Sequence, residues 1–341
     1  MQPTQKYYEA DAYRTEAAGR ILAAEPDGNG GGKLALDGTV FYPEGGGQPA
    51  DRGTLTLPDG TVLHVTDVHE QGGVIWHTTD DLPEIAAPGT EVQEALDWAW
   101  RFDKMQQHTG EHILSGILHQ MFGAENVGFH IGTDAVRMDT SVPISAEGLR
   151  EAELAANRIV WQNVPVCITY PTREELAALT YRSKKEIEGQ VRIVSIPGAD
   201  VCACCGTHVA ATGEIGLIKL LSAVSFRGGT RIEMACGAQA LALLNAAFDQ
   251  NRQVSQAFSA KITETGEAAR RMNELLSAQK YRMAGLEKRV FAGIAEGYVN
   301  QGDVLHFEED LSAEGVRELA DAIADKCGGT AAVFSGGEGG Y

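Results

Sequence analysis

Short alternations of apolar and polar residues, broken by glycine-rich turns, run through residues 1 to about 90. They predict strands over 20–24 and 33–36, either side of Gly28-Asn29-Gly30-Gly31-Gly32. A hairpin is predicted over 62–68 and 74–78, around Glu70-Gln71-Gly72-Gly73. Many short strands with such turns predict a small β-barrel. The period then changes. Ile113, Leu114, Ile117, Leu118, Met121 and Phe122 fall at helical spacing, predicting a helix over 103–122 with one buried face. Strands over 127–130 and 135–139 follow, then a helix opened by Ser145 that runs to about 163, with Gly148 interrupting its capping box. A strand over 166–170, a capped helix over 172–179, a strand over 191–196 and a hairpin over 215–225 and 230–236 complete an α+β pattern. Residues 238–295 are rich in Ala, Leu, Glu and Arg and predict a long helix or helical hairpin, with coiled-coil character. Beyond Gly297, a strand over 304–307, a helix over 312–327 and a strand over 331–334 read as the start of a βαβ unit, expected to be truncated at the end of the chain.

The fold class expected is therefore α+β. Residues 1–90 form a barrel-like domain and 91–240 an α+β domain. Residues 241–297 form a helical segment and 298–341 a partial α/β domain. The 341 residues, 43% of them hydrophobic, suffice for two or three cores. No apolar run has the length of a membrane-spanning helix, and the first eight residues lack the apolar stretch of a signal peptide. Three of the six cysteines bunch at Cys202, Cys204 and Cys205. This is a poor disulfide framework and a better metal-binding cluster in a reducing cytoplasm. Cys167, Cys236 and Cys327 read as small buried hydrophobes. The formal charge of −19 weighs against a nucleic-acid partner, so any such contact needs local basic patches. Candidates are Arg182-Ser183-Lys184-Lys185 with Arg192, the turn Phe226-Arg227-Gly228-Gly229-Thr230-Arg231, and the cations from Arg270 to Arg289.

Two stretches carry chemistry. His108 and His112, four residues apart, project from one helical face and can grip one ion. His119 lies roughly 10 Å and 16 Å further along and is too far to share it. The second stretch is Cys202-Ala203-Cys204-Cys205-Gly206-Thr207-His208. Cys204 and His208 with the two upstream histidines make a tetrahedral zinc set, with Cys202 and Cys205 as alternative sulfur ligands. A third stretch, Thr39-Val40-Phe41-Tyr42-Pro43-Glu44-Gly45-Gly46-Gly47-Gln48-Pro49-Ala50-Asp51, holds more glycine than a turn requires. Its main-chain N–H groups and the Gln48 amide suit close approach to a ligand. One competing pattern is His108-Thr109-Gly110-Glu111-His112, which matches the H-x-x-E-H of inverzincin peptidases. Glu111 is then the general base, and Glu186 or Glu188 supplies an acidic ligand. That reading leaves the glycine loop and the Cys204/His208 pair without a role. A further alternative is a zinc-stabilised RNA-binding module without catalysis.

Taken together, the Tyr42–Pro49 loop motif with Asp51, His108-x3-His112 and Cys204-x3-His208-Val209 resemble the alanyl-tRNA editing proteins (AlaX type) and the editing domain of alanyl-tRNA synthetase. The resemblance covers roughly residues 5 to 240. Cys205 stands where the family motif often has a second glycine. The resemblance implies a trans-acting, zinc-dependent, ATP-independent hydrolase that clears Ser or Gly from mischarged tRNA(Ala). His108, His112, Cys204 and His208 would be ligands in a zinc-containing editing domain. The Gly46-Gly47-Gln48 segment would hold the ester end or terminal ribose, and Thr39 would contact the serine hydroxyl. Arg182, Lys184, Lys185, Arg227 and Arg231 are the candidate tRNA contacts, and a homodimer through the helical segment is expected.

Overall fold

Side-chain alternation closes the N-terminal strands into a six-stranded antiparallel barrel. The computed structural model describes residues 1–183 and 189–336. Around the barrel the strands run Glu16–Pro26, Gly32–Leu36, Val74–Thr79, Val62–Gln71, Gly53–Thr56 and Glu91–Leu96, the last pairing back onto the first. Leu34, Leu36, Leu55, Leu63, Val68 and Ile75 fill the interior. The predicted barrel stops near residue 90, but Glu91–Leu96 is the strand that closes it. Its sequence, Glu-Val-Gln-Glu-Ala-Leu, does not read as hydrophobic alternation because a carboxylate, Glu94, points inward beside Val92.

The helix Trp98–Phe122 follows directly. Asp97 caps it by accepting from the Trp100 N–H, and it ends at Gly123 in the left-handed region (φ 64°). It therefore starts five residues before the predicted helix, with Trp98 and Phe102 packed against the core. Residues 104 to 118 are buried without a break, not on one face alone. The helix touches the helix Ala146–Gln162 and the strand Asp200–Ala203. It also touches an antiparallel sheet ordered Ile218–Phe226, Gly229–Cys236, Val136–Thr140, Asn126–Ile131. Two glycines permit this crowding. A Cβ on Gly110 would stand 2.2 Å from Cys236 Sγ, and one on Gly116 would stand 2.2 Å from the Ala199 carbonyl oxygen. Asp200–Ala203 belongs to a second antiparallel sheet with Cys167–Thr169 and Ile193–Ile196. Cys236 and Cys327 are buried as expected, but Cys167 is exposed, because its end strand turns alternate residues outward.

Arg101 fixes the helix to the barrel. Its fully buried guanidinium grips the Asp51 carboxylate through Nε and Nη2. It also donates to the carbonyls of Ala12 and Val40, both at 2.7 Å. Asp51 in turn accepts from the Tyr42 N–H at 2.6 Å, which closes the base of the glycine loop.

Contacts divide the chain into Met1–Ala246 and Ala247–Tyr341, with the boundary inside the helix Gly237–Ala257. The second unit contains the helix Thr265–Glu296 and a parallel strand pair, Gly302–Glu309 and Gly328–Gly336, joined by the helix Ala313–Cys327. Its own small core includes Phe291, Val304, Leu319 and Ile323.

Candidate metal centre

His108 and His112 stand one turn apart with ring centroids separated by 5.2 Å. The strand Asp200–Ala203 delivers Cys204, and the loop after it curls His208 over the pair, with centroids 4.6 Å from His108 and 4.8 Å from His112. The donor atoms of His108, His112, Cys204 and His208 all lie within 4.8 Å of one another. Cys204 Sγ is 3.5 Å from His108 Nε2. That matches the N···S edge of a zinc tetrahedron, about 3.5 Å for the usual Zn–N and Zn–S bonds. Cys202 faces elsewhere, in a group with His112 and Asp200, and Cys205 belongs to neither group.

Hydrogen bonds on the outer nitrogens orient the three rings. His108 Nδ1 donates to Gln48 Oε1 at 2.8 Å; that oxygen also accepts from the Thr207 N–H, while Gln48 Nε2 donates to Thr207 Oγ1. His112 Nδ1 donates to Asp200 Oδ2 at 3.0 Å. His208 Nδ1 donates at 3.1 Å to Thr109 Oγ1, whose own proton goes to the Met105 carbonyl. Every Nε2 therefore faces the centre, and His208 Nε2 is buried there without a hydrogen-bond partner. An orphaned buried ring nitrogen beside a sulfur and two more ring nitrogens fits a soft divalent cation such as zinc.

The electrostatics agree. Burial opposes the Cys204 thiolate, but the charges of His108 and His112 and their hydrogen bonds outweigh it and hold the thiol well below its ordinary value. Burial also opposes charge on His112, yet Cys204 and the Asp200 hydrogen bond raise it. Burial and the neighbouring His108 push His208 down to about 3, leaving a neutral imidazole. A lowered thiol beside the neutral ring nitrogen of His208 is the donor chemistry that metal binding, which releases ligand protons, calls for.

The surrounding loops are built to this geometry. Gly206 packs flat on His108: a Cβ there would stand 2.2 Å from the ring. Arg192 donates to the Cys204 and Gly206 carbonyls at 2.7 and 3.0 Å, so it clamps the cysteine loop and is not a surface cation. Gly45 and Gln48 exchange two main-chain hydrogen bonds across Gly46 (φ 60°) and Gly47 (φ 88°), a turn that requires positive φ at both central residues. A Cβ on Gly47 would strike Phe129, whose ring stacks on His108 at 5.2 Å. A cavity of about 640 Å³ opens over these residues, lined by Tyr42, Gly46, Gly47, His108, His112 and Phe129 among others.

The structure brings most of the predicted residues together, in roles that differ in part from those expected. Gln48 is fully buried and holds His108 rather than lining the cavity. Thr39 is not among the lining residues. Its hydroxyl sits inside the barrel, 2.6 Å from Glu94 Oε2 and 2.8 Å from His77 Nε2. Glu111 carries a short hydrogen bond from Asn126 and is not one of the clustered donors. Arg182 is engaged by Asp200 and Ser115. Arg231 sits 3.6 Å from the Phe226 ring centroid and grips Asp139 twice at 2.7 Å, while the exposed Arg227 lies 5.0 Å from the same centroid. Lys184, Lys185, Glu186 and Glu188 lie outside the described residues. Sequence reasoning missed Asp200 and Thr109 as ring partners, and Thr207 as the residue that holds Gln48. Thr109 and Thr207 sit inside the ligand motifs, but their partners, His208 and Gln48, lie 99 and 159 residues away.

Residues 10–100 match the family profile described as tRNA synthetases class II (A), and residues 191–233 match the Threonyl and Alanyl tRNA synthetase second additional domain. Alanyl-tRNA editing protein AlaX-L of Pyrococcus horikoshii is 35% identical over 244 residues, covering 71% of this chain. The chain is a relative of the alanyl-tRNA editing proteins. It is also similar to alanine–tRNA ligases: that of Halobacterium salinarum is 37% identical over 79% of the chain, and that of Natronomonas pharaonis 32% identical over 98%. The matched region spans 60% of the AlaX-L protein and 30 to 37% of these two ligases. The second profile contains Cys204 and His208 and the first contains the glycine loop. Both ends of the candidate centre other than the helix thus fall in segments shared with these families. Among the described residues, no helix is long and apolar enough to cross a membrane.

Proposed function

We propose that this chain hydrolyses the ester of tRNA(Ala) mischarged with serine or glycine, using a zinc ion held by His108, His112, Cys204 and His208. The observation that carries the proposal is the set of three inward Nε2 atoms and one cysteine sulfur beneath an open cavity, in a relative of editing proteins. A zinc there would supply Lewis acidity or orient the substrate. The chain's own residues do the rest. Gln48, Asp200 and Thr109 keep the rings in register. The Gly46-Gly47 turn leaves room for a ribose ester, and Phe129 offers an aromatic wall. A cavity of about 640 Å³ is the right size for an aminoacyl group with its terminal nucleoside. The partner proposed is tRNA(Ala), in the cytoplasm. A homodimer through the helical segment belongs to the same proposal, since Met272, Leu276, Met283, Leu286 and Val290 are exposed at heptad spacing.

Four protein donors can also saturate a tetrahedral ion, which favours the second reading of a zinc-stabilised RNA-binding module. One assay separates the readings. Purified protein is given Ser-, Gly- and Ala-tRNA(Ala), alongside His108→Ala and Cys204→Ala and a casein control. Clearance of Ser- or Gly-tRNA with Ala-tRNA spared, lost in both variants, is the expected result. Zinc-loaded protein that clears no ester would leave the module reading, and cleavage of casein would point back to a peptidase.

A further inference from the structure

We infer that Arg182 and Asp200 form a positioning pair for His112, fixing the direction in which that ring presents Nε2. The inference rests on the reading of His112 as a metal ligand. The Asp200 side chain is almost fully buried, and both oxygens are engaged. Oδ2 accepts from His112 Nδ1 at 3.0 Å and from Arg182 Nη2 at 2.8 Å, and Oδ1 accepts from Arg182 Nε at 2.8 Å. Arg182 Nη1 then donates to Ser115 Oγ at 2.8 Å, and Ser115 lies one helical turn beyond His112. The result is a closed ring of contacts: His112, Asp200, Arg182, Ser115 and back to the same helix.

The backbone holds this ring together. The Arg182 N–H donates to the Val201 carbonyl and its own carbonyl accepts from the Ala203 N–H, at 2.8 and 2.9 Å. Arg182 is thus paired along the strand that begins at Asp200 and leads to Cys204. Gly116 lets the helix approach the turn before that strand, which brings the carboxylate within reach of His112. Of the three rings, only His112 has an ionised acceptor. His108 relies on a neutral amide and His208 on a hydroxyl. A carboxylate is the strongest of the three acceptors and holds its ring most firmly.

Two other uses of these groups are less well supported. His112, Asp200 and Cys202 are close enough to suggest a second cation site. The guanidinium lying along both Asp200 oxygens already places a positive charge there, which disfavours another. Arg182 as a phosphate contact, the sequence expectation, would require breaking three hydrogen bonds at a mostly buried side chain.

The test is zinc affinity, by chelator competition, of Asp200→Asn, Arg182→Lys, His112→Ala and the parent, with the visible spectrum of the cobalt-substituted proteins as a second readout. Losses of 10- to 100-fold for Asp200→Asn, and a smaller loss for Arg182→Lys, are expected. The cobalt ligand-field bands should also be altered in both variants, a readout that a loss of stability alone would not move. If His112→Ala binds zinc as the parent does, the ligand reading itself fails. If His112→Ala is impaired but Asp200→Asn and Arg182→Lys keep the parent's affinity and spectrum, the positioning pair is overturned. Should Asp200→Asn not fold, Arg182→Lys decides: unchanged affinity and bands overturn the inference, and weakened binding supports it.

Discussion

Gly206 and Gly46 show how differently two glycines of the same site constrain the chain. Gly206 lies against the His108 ring and Gln48 Oε1, whereas Gly46 has nothing within 4 Å and is needed only for its positive φ. Gly206→Ala should cost about 1–3 kcal/mol through overpacking and should displace His108. Reduced zinc content and a lower Tm would be measured together. Gly46→Ala should cost only about 1–2 kcal/mol of backbone strain and leave zinc content unchanged. A second residue with a measurable signature is Glu94 in the barrel. It is 2% exposed, and its Oε1 has no partner. Burial outweighs the hydrogen bonds from Thr39 and Val40 and raises its carboxyl from 4.5 to about 7. The folded state therefore holds its proton more tightly than the unfolded state. Glu94's contribution is fully present below pH 4.5 and is lost as pH rises through about 7. Between pH 4.5 and 8 the stability difference should move toward Glu94→Gln by up to about 3 kcal/mol, read from urea melts at the two pH values. Parallel profiles for variant and parent would refute the raised carboxyl.

At the scale of elements, the joint between barrel and ligand helix is one buried ion pair. Asp51→Ala leaves the Arg101 guanidinium uncompensated among carbonyls and should cost about 3–5 kcal/mol. A loss below about 1 kcal/mol in denaturant unfolding would mean that water reaches the pair. Elements are also where the sequence was most and least legible. The His108/His112 pair could be read because four residues on a helix is a local rule. The short helix Arg173–Ala178 was legible through its capping box of Thr172 and Glu175. The closing strand Glu91–Leu96 was missed because its inward Glu94 breaks the alternation that marks a strand. Asp200 and Thr109 were missed as ring partners for a different reason. They lie 88 and 99 residues from the histidines they hold, and no spacing rule reaches that far.

For the whole molecule, two units that each bury their own hydrophobic residues imply two separable stabilities. Leu319 is fully buried in the core of the unit after Ala246, and Leu319→Ala should destabilise that unit by about 2–5 kcal/mol. The expected outcome is one lowered transition in a thermal melt, with zinc affinity unchanged. Zinc affinity falling in step with that transition would show that the metal site depends on the second unit. The net charge of −19 also takes on a more local meaning. Arg101, Arg182 and Arg192 face carboxylates or carbonyls inside the first unit, which leaves fewer cations at its surface than the composition suggests.

The ligands are also separated in time. His108 and Cys204 are 96 residues apart, so during synthesis the histidine pair precedes the sulfur by roughly 5 to 20 seconds. Over that interval the barrel and helix can exist with half a coordination sphere. A chain arrested at residue 180 should hold zinc no more tightly than a two-histidine site, and tight capture of the ion becomes a late event in the making of the protein.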